Sequence, residues 1–159
     1  MHDVHYYDCI THTQIKDKEY LKGPVVDLKL ISFYPDSQLD GIPYYWYEIY
    51  LSNIAIGKIS LRLGYNETTL VNGQVGYEID EPYRGHHYGY YALEIIKCLA
   101  MDHGFRYLIV TTSVDNFRSQ HVIRRAGGKM VIADYEVPKD HIFYVLGKPR
   151  MNIYEIKLG

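Results

Sequence analysis

Cysteine is scarce in this chain: two in 159 residues, Cys9 and Cys98, far apart and in unlike settings. Such a pair builds no disulfide framework and fits a reducing cytosol, so a cytoplasmic protein is the expectation. Long apolar runs are missing too. Nothing approaches membrane-spanning length, and the opening MHDVHYYDCI has no apolar signal region, which argues against a membrane partner. Asn66-Glu67-Thr68 is formally a glycosylation sequon, read here as chance. Excess charge of one sign is absent, the net being −2, so there is no electrostatic case for nucleic acid. Phenylalanine and tryptophan are few, with four and one against 18 tyrosines, so tyrosine carries the aromatic content. A ring with a hydroxyl suits half-buried strands and wet clefts. No repeat or low-complexity segment is visible.

What the chain does have is concentrated between Gly73 and Met101. Val75, Tyr77 and Ile79 alternate with Gly76, Glu78 and Asp80, the period of a two-faced strand. Pro82 ends it, having no N–H to give to a ladder. Arg84-Gly85-His86-His87-Tyr88-Gly89 follows as a glycine-containing turn. Ala92, Ile95, Ile96 and Leu99 then recur at helical spacing. Strand, glycine turn and helix point unpartnered backbone N–H groups and the positive end of a helix dipole at an anion. Arg84 adds a full charge. The stretch predicts a phosphate or pyrophosphate cradle. It lacks the lysine of a P-loop, and Gly85 and Gly89 do not space as G-x-G-x-x-G, which disfavours a nucleotide-phosphate module.

Pro82 to Gly89 resembles the acyl-CoA loop of the GNAT N-acetyltransferase superfamily, Q/R-x-x-G-x-G/A within P-x-x-R-G-x-G-Y/F-G/A. Arg84 and Gly89 fit the first and last positions. His87 stands where the family most often has glycine; its Cβ would crowd a pyrophosphate, and a negative φ would accommodate it. A second match lies downstream. Tyr107 to Thr112 reads as a buried strand, then Asn116 and Ser119 fit N-x-x-S before a helix with Val122, Ile123 and Ala126, stopped by Gly127-Gly128. The resemblance is close over residues 75–131.

Taken in order, the chain predicts strands at Val25–Phe33, Tyr44–Ser52, Ile56–Leu63, about Val75–Asp80, Tyr107–Thr112, Lys129–Val137 and Asn152–Leu158. Two helices follow the fourth and fifth strands. Gly64 to Gly73 reads as a polar turn with Asn72-Gly73 as a hairpin signal, and Pro138 to Pro149 as a loop or short strand. Residues 1–23 read as an irregular arm or a cover. The order β-β-β-β-α-β-α-β-β predicts one domain over residues 1–159 with a mixed, mostly antiparallel sheet, helices on its faces and one parallel crossover. That is the acyl-CoA N-acyltransferase-like fold, lacking the helices usual between the first two strands. The acceptor site would then be open, or supplied by residues 1–23 or another subunit. Edge strands of such sheets can pair, so a homodimer is an expectation.

The resemblance implies acetyl transfer from acetyl-CoA to a primary amine of a small molecule or peptide. The N–H groups of Arg84, Gly85, His86, His87, Tyr88, Gly89 and Tyr90 would hold the pyrophosphate. Backbone at Ile79 would pair with the pantetheine arm and polarise the carbonyl, and Asn116 would bind the arm's amide. Glu78 is the candidate base, with Asp80 and Glu81 as weaker alternatives; the competing role is a solvated strand carboxylate. Many members place a proton-donating Tyr seven residues after the motif Asn, but Ile123 stands there. In the branch resembling ribosomal-protein N-terminal acetyltransferases, a Ser three after the Asn meets the sulfur, and Ser119 fits. Ser119 equally suits a helix's first turn. His86 and His87 are adjacent and point apart, so no metal is assigned. His121 falls on the second helix. His103 falls near the end of the long helix, where a cation suits the dipole, and Cys98 near that helix's apolar face. The Tyr44-Tyr45-Trp46-Tyr47 cluster reads as sheet packing, or else an acceptor wall. The alternative function is a degenerate member that binds acyl-CoA or a protein without turnover.

Overall fold

The computed structural model describes residues 4–159. Its strands make two sheets. The first runs β1 (Tyr20–Leu21), β2 (Asp27–Tyr34), β3 (Tyr44–Leu51), β4 (Ile54–Arg62) and β5 (Val75–Ile79) side by side, all antiparallel. The second places β8 (Arg150–Lys157) between β6 (Tyr107–Ser113) and β7 (Gly128–Glu136), again antiparallel. Helix α3 (Tyr88–Asp102) joins β5 to β6, and α4 (Phe117–Arg125) joins β6 to β7. The expected order of strands and helices is present, and residues 35–43 between β2 and β3 carry no helix.

Several segments differ from the reading of the sequence. Residues 4–23 are not a loose arm. They contain α1 (Val4–Tyr7) and β1, and Tyr7 and Cys9 are buried. Aromatic and thiol side chains spaced without period can still pack where tertiary contacts supply the partners. The turn before β5 holds a helical turn, α2 (Thr69–Asn72), and the β7–β8 connection holds another, α5 (Ile142–Val145). Cys98 is exposed, and Leu93 rather than Ile95 is fully buried on α3.

The core follows from the alternation. Leu28, Tyr45, Tyr47, Ile49, Ile59 and Leu61 put their side chains on one face of the first sheet and are wholly or almost wholly buried. Ala92, Leu93, Ile96 and Leu99 of α3 belong to the same cluster. Each buried Leu or Ile stabilises by about 1.5–3 kcal/mol relative to exposure, so this shared face fixes the helix on the sheet. The opposite face stays open and polar: Lys29, Glu48, Lys58 and Glu78 stand opposite one another across four strands, opposite charges alternating as cross-strand pairs prefer. Gly57 of β4 allows β5 its approach, since a Cβ there would lie 2.2 Å from the Glu78 carbonyl oxygen.

Among the described residues the two sheets are joined by hydrogen bonds at one point and then part. The Gln74 N–H bonds the Ile109 carbonyl at 2.7 Å, and the Ile109 N–H bonds the Gln74 side-chain oxygen at 2.8 Å. Gln74 is fully buried, and its amide nitrogen donates to the carbonyls of Tyr7 and Gly64. Beyond that point no ladder joins β5 to β6 among the described residues. The single continuous sheet is thus split, and the parting of β5 from β6 opens a cleft.

Candidate active site

The cleft measures about 710 Å³ and lies between the far half of β5, the turn before α3 and the start of α4. The phase of the β4–β5 ladder decides what β5 offers it. Arg62 N–H bonds the Gln74 carbonyl and Asp80 N–H bonds the Ile56 carbonyl, so the even-numbered residues of β5 face β4. In an antiparallel pair the intervening residues turn their backbone groups the other way. The N–H and C=O groups of Tyr77 and Ile79 therefore point into the gap. The Ile79 carbonyl is taken by Arg84 Nε at 2.8 Å, which leaves the Ile79 N–H facing the cleft.

The glycine turn forms the next wall. Arg84 N–H closes the short 3-10 turn Glu81–Tyr83 by bonding the Glu81 carbonyl. Its guanidinium ties the strand end to the turn and lies 3.8 Å from Glu78. Arg84 thus shapes the cradle with its side chain, and its own N–H is already used. From Gly85 to Tyr90 no backbone N–H has an acceptor among the described residues. This is a run of donors at the positive end of a helix about 22 Å long. Gly85 adopts a φ of 86° and borders open space, with nothing within 4 Å of where a Cβ would stand. Gly89 is needed for packing, since a Cβ would lie 3.0 Å from the Tyr77 ring.

His87 does not take the negative φ that would accommodate its Cβ. Its φ is 66° and ψ 16°, left-handed. For an L-residue other than Gly that geometry costs about 1–2 kcal/mol, and His, Asn and Asp tolerate it better than most.

The candidate chemical groups converge on the same cleft. Glu78 projects from β5 to the open face, its side chain 79% exposed. Ser119 lies across the cleft on α4. Asn116 is the N-cap of α4, its side-chain oxygen accepting the Ser119 N–H at 3.1 Å. Capping engages that oxygen and fixes the turn. Ile123, by contrast, is fully buried in the core. Asp80 and Glu81 sit at the strand end and in the 3-10 turn, and neither lines the cleft. A residue that motif reasoning passed over is Tyr77. Its hydroxyl lies 3.0 Å from the Ser119 hydroxyl, and burial raises its pKa, with the Ser119 bond opposing. The signal was in the sequence: Tyr77 shares the inward face of β5 with Val75 and Ile79.

Other expectations fall elsewhere. Tyr45 and Tyr47 are fully buried, while Tyr44 and Trp46 face the open side of the sheet and Tyr44 stacks on Tyr34. His103 is not a cation at the helix end. It is buried; its Nδ1–H donates to the Thr11 carbonyl and Nε2 accepts from the Tyr45 hydroxyl, each at 2.8 Å. Burial pushes its pKa below the usual imidazole value, against the opposing pull of the Thr11 bond. The strap at residues 9–11 packs there, with the Ile10 and Thr11 N–H groups on the His103 carbonyl. No described residue of the strap lines the cleft. Asp8, Cys9 and His12 converge within 4.8 Å. Asp8 already pairs with His12 at 2.8 Å, and burial raises the Cys9 thiol to about 12, so ordinary contacts account for the trio.

Comparison with known proteins accords with this geometry. The family model for the acetyltransferase (GNAT) domain matches residues 25–129. Among solved structures, a ribosomal L7/L12 alpha-N-protein acetyltransferase, RimL, in an apo crystal form superposes with a TM-score of 0.62. It is 14% identical over 93% of this chain and 100% of that one. An acetyltransferase from Salmonella typhimurium that modifies the N-terminal serine of the same ribosomal protein gives 0.55. It is 18% identical over 73% of this chain and 64% of that one. The microcin C7 self-immunity acetyltransferase MccE, solved with acetyl-CoA and AMP, gives 0.54. It is 16% identical over 72% of this chain and 61% of that one. No curated protein matches the sequence.

Proposed function

The chain belongs to the GNAT acetyltransferase family, and from that premise we propose that it moves an acetyl group from acetyl-CoA directly to a primary amine. The observation that carries the reading is the run of unaccepted N–H groups at residues 85–90 beside the free edge of β5, both facing one cleft. The N–H run suits a pyrophosphate. The strand edge suits an amide-bearing arm that pairs as an added strand would. Neither Cys9 nor Cys98 lines the cleft, which favours direct transfer over a thiol acyl-enzyme.

The roles follow from position. The amine arrives from the open face of the sheet, where Glu78 takes its proton directly or through water. The Ile79 N–H points into the gap and would stabilise the oxyanion as the C–N bond forms. The C–S bond then breaks, and the departing thiolate takes its proton from Ser119. Ser119 takes a proton from Tyr77 across the 3.0 Å contact, the second proton shed by the new amide nitrogen returns to Tyr77 through water, and Glu78 releases its own to solvent, so both hydroxyls end as they began. Asn116 fixes the start of α4 and so the place of Ser119, with its amide NH₂ available to the arm. The acceptor side is open, since no helix lies between β2 and β3. Solved neighbours include enzymes acting on a protein N-terminus, and a peptide or small-molecule amine in the cytoplasm is the acceptor we infer.

Thiol release from acetyl-CoA, measured over a panel of peptide N-termini, amino acids and polyamines, tests the reading. Turnover with any amine, lost in Glu78→Gln while acetyl-CoA binding persists, is the expected result. Binding without turnover across the panel would favour the non-catalytic alternative, to which the left-handed His87 lends some weight. No binding at millimolar acetyl-CoA would end the proposal.

A further inference from the structure

The charged row across the open face of the first sheet, Lys29, Glu48, Lys58 and Glu78, is unevenly engaged. The Glu48 carboxylate accepts the Tyr50 hydroxyl at 2.9 Å. Lys29 Nζ stands 5.9 Å from the centre of the Tyr50 ring. Glu78 leans to Arg84 at 3.8 Å. Lys58 is exposed, and among the described residues no hydrogen bond, ion pair or ring contact engages its side chain. Its direct neighbour on β5 is Glu78, and the Cβ atoms of such opposed residues lie about 4.5–5.5 Å apart. The two still form no ion pair.

Position gives this cation its interest. β4 flanks β5 on the side away from β6, and Lys58 does not line the cleft. It belongs to the side from which the amine comes to Glu78. With Arg84 at one flank and Lys58 at the other, the Glu78 carboxylate already faces two positive charges, and an arriving ammonium is a third. A bare alkylamine or polyamine meets that repulsion without compensation. An amine that brings its own carboxylate offsets it, with the carboxylate on Lys58 and the nitrogen at Glu78. The next row leaves space for the rest of such a molecule. Gly76 has no side chain and Ser60 opposite it is small, so the face stays shallow as far as the half-buried Trp46.

We propose that Lys58 selects the acceptor, and that the substrate class is a primary amine carrying a carboxylate within about three carbons of the nitrogen. This rests on the acetyl-transfer reading with Glu78 as base. The spacing follows from the ladder, because amine and carboxylate must reach two side chains rooted about 5 Å apart. Two sources supply that chemistry. A free amino acid offers its α-carboxylate, and a peptide N-terminus that begins with aspartate offers that side chain.

Matched acceptors test the selection and separate the sources: alanine against alaninamide, and the amidated dipeptide Asp-Ala against Asn-Ala, with spermidine alongside. Thiol release from acetyl-CoA gives kcat/KM for the wild-type chain, Lys58→Gln, Lys58→Arg and Lys58→Glu. The quantity read is the ratio of carboxylate to amide acceptor within a pair, and its change from wild type to variant. Amine basicity cancels between variants, and any action of Lys58 on Glu78 cancels within a pair. Lys58→Gln should lower the ratio about threefold to fivefold, the range for an exposed ion pair, and Lys58→Arg should restore it. Lys58→Glu, replacing attraction by repulsion, should lower it by about tenfold or more. A response in the alanine pair identifies a free amino acid as acceptor, and one in the dipeptide pair a peptide N-terminus. Ratios that stay level in both pairs through Lys58→Gln and Lys58→Glu, or turnover of spermidine alone, overturn the selection and leave the acetyl-transfer reading standing. No thiol release with any acceptor overturns that reading, and this inference with it.

Discussion

The two ends of α3 carry similar residues and do opposite things. At its start, His87 is exposed, strained and unpartnered among the described residues, in front of a run of N–H groups with no acceptor there. At its end, His103 is buried, neutral and bonded on both nitrogens, with a strap of chain capping the helix's last carbonyl. Each end carries positive-φ backbone: Gly85 and His87 at one, Gly104 at the other. The difference lies in what packs against them. The end where β5 and β6 part has no element to fill it among the described residues. The other end is sealed by residues 9–15, through Thr11, through Ile10 against Gly104, and through the Ile15 N–H on the Tyr45 hydroxyl. One end is left open among the described residues, and the other is satisfied by the chain itself.

The comparison can be broken at either end. At the open end, Glu78→Gln should lower kcat by about 10²–10⁴-fold, the range for a general base, with acetyl-CoA binding retained by calorimetry. Simultaneous loss of binding would mean that Glu78 holds the site together through Arg84 and is not the base. At the sealed end, His103→Ala should leave the Tyr45 hydroxyl proton without its acceptor, leave the Thr11 carbonyl with only the Cys9 thiol, and open a void. The expected cost is about 3 kcal/mol, or a fall in Tm of about 6–12 °C for a chain of this size. Acetyl-CoA affinity measured well below that Tm should be unchanged.

Two smaller effects sharpen the contrast. Tyr77→Phe keeps the ring that packs on Gly89 and removes only the hydroxyl. It should lower kcat by about tenfold with KM for acetyl-CoA little changed, less than loss of a directly acting acid. An unchanged kcat would free Ser119 from any dependence on Tyr77. The smallest effect is in pH. The pKa of His103 is lower in the folded chain than in the unfolded one, and that of His141 is displaced in the same direction by burial. As pH falls below about 6.5 the unfolded chain takes up these protons first, so stability is full above that pH and declines beneath it. Thermal melts between pH 7.5 and 5.5 should show the decline, and His103→Gln should make it shallower.

Much of the open end was legible in the sequence, because local signals define it. Alternation marked β5, Pro82 its end and Gly85 the turn; Asn116 was read as a ligand of the cofactor's arm, and its capping of α4 came from the structure. Two short motifs in order then placed both walls of the cleft. The sealed end was not legible. Nothing in residues 4–23 has a period, and the buried role of His103 depends on Thr11 and Tyr45, which are 92 and 58 positions away. The left-handed φ of His87 was not legible either, because residue type alone does not decide φ in a turn. The split between β5 and β6 was likewise hidden, because it turns on Gln74 bonding Ile109 and no ladder forming beyond it.

The central claim is that the cleft at the start of α3 is the acyl-CoA site. Amide hydrogen exchange with and without acetyl-CoA tests it most directly, since the N–H groups in question are the proposed ligands. Slowed exchange is expected at residues 85–90 and at Ile79, with residues 9–15 and the shallow hollow beside residues 18–24 unaffected. Protection confined to that hollow, or none at the turn under saturating acetyl-CoA, would contradict it.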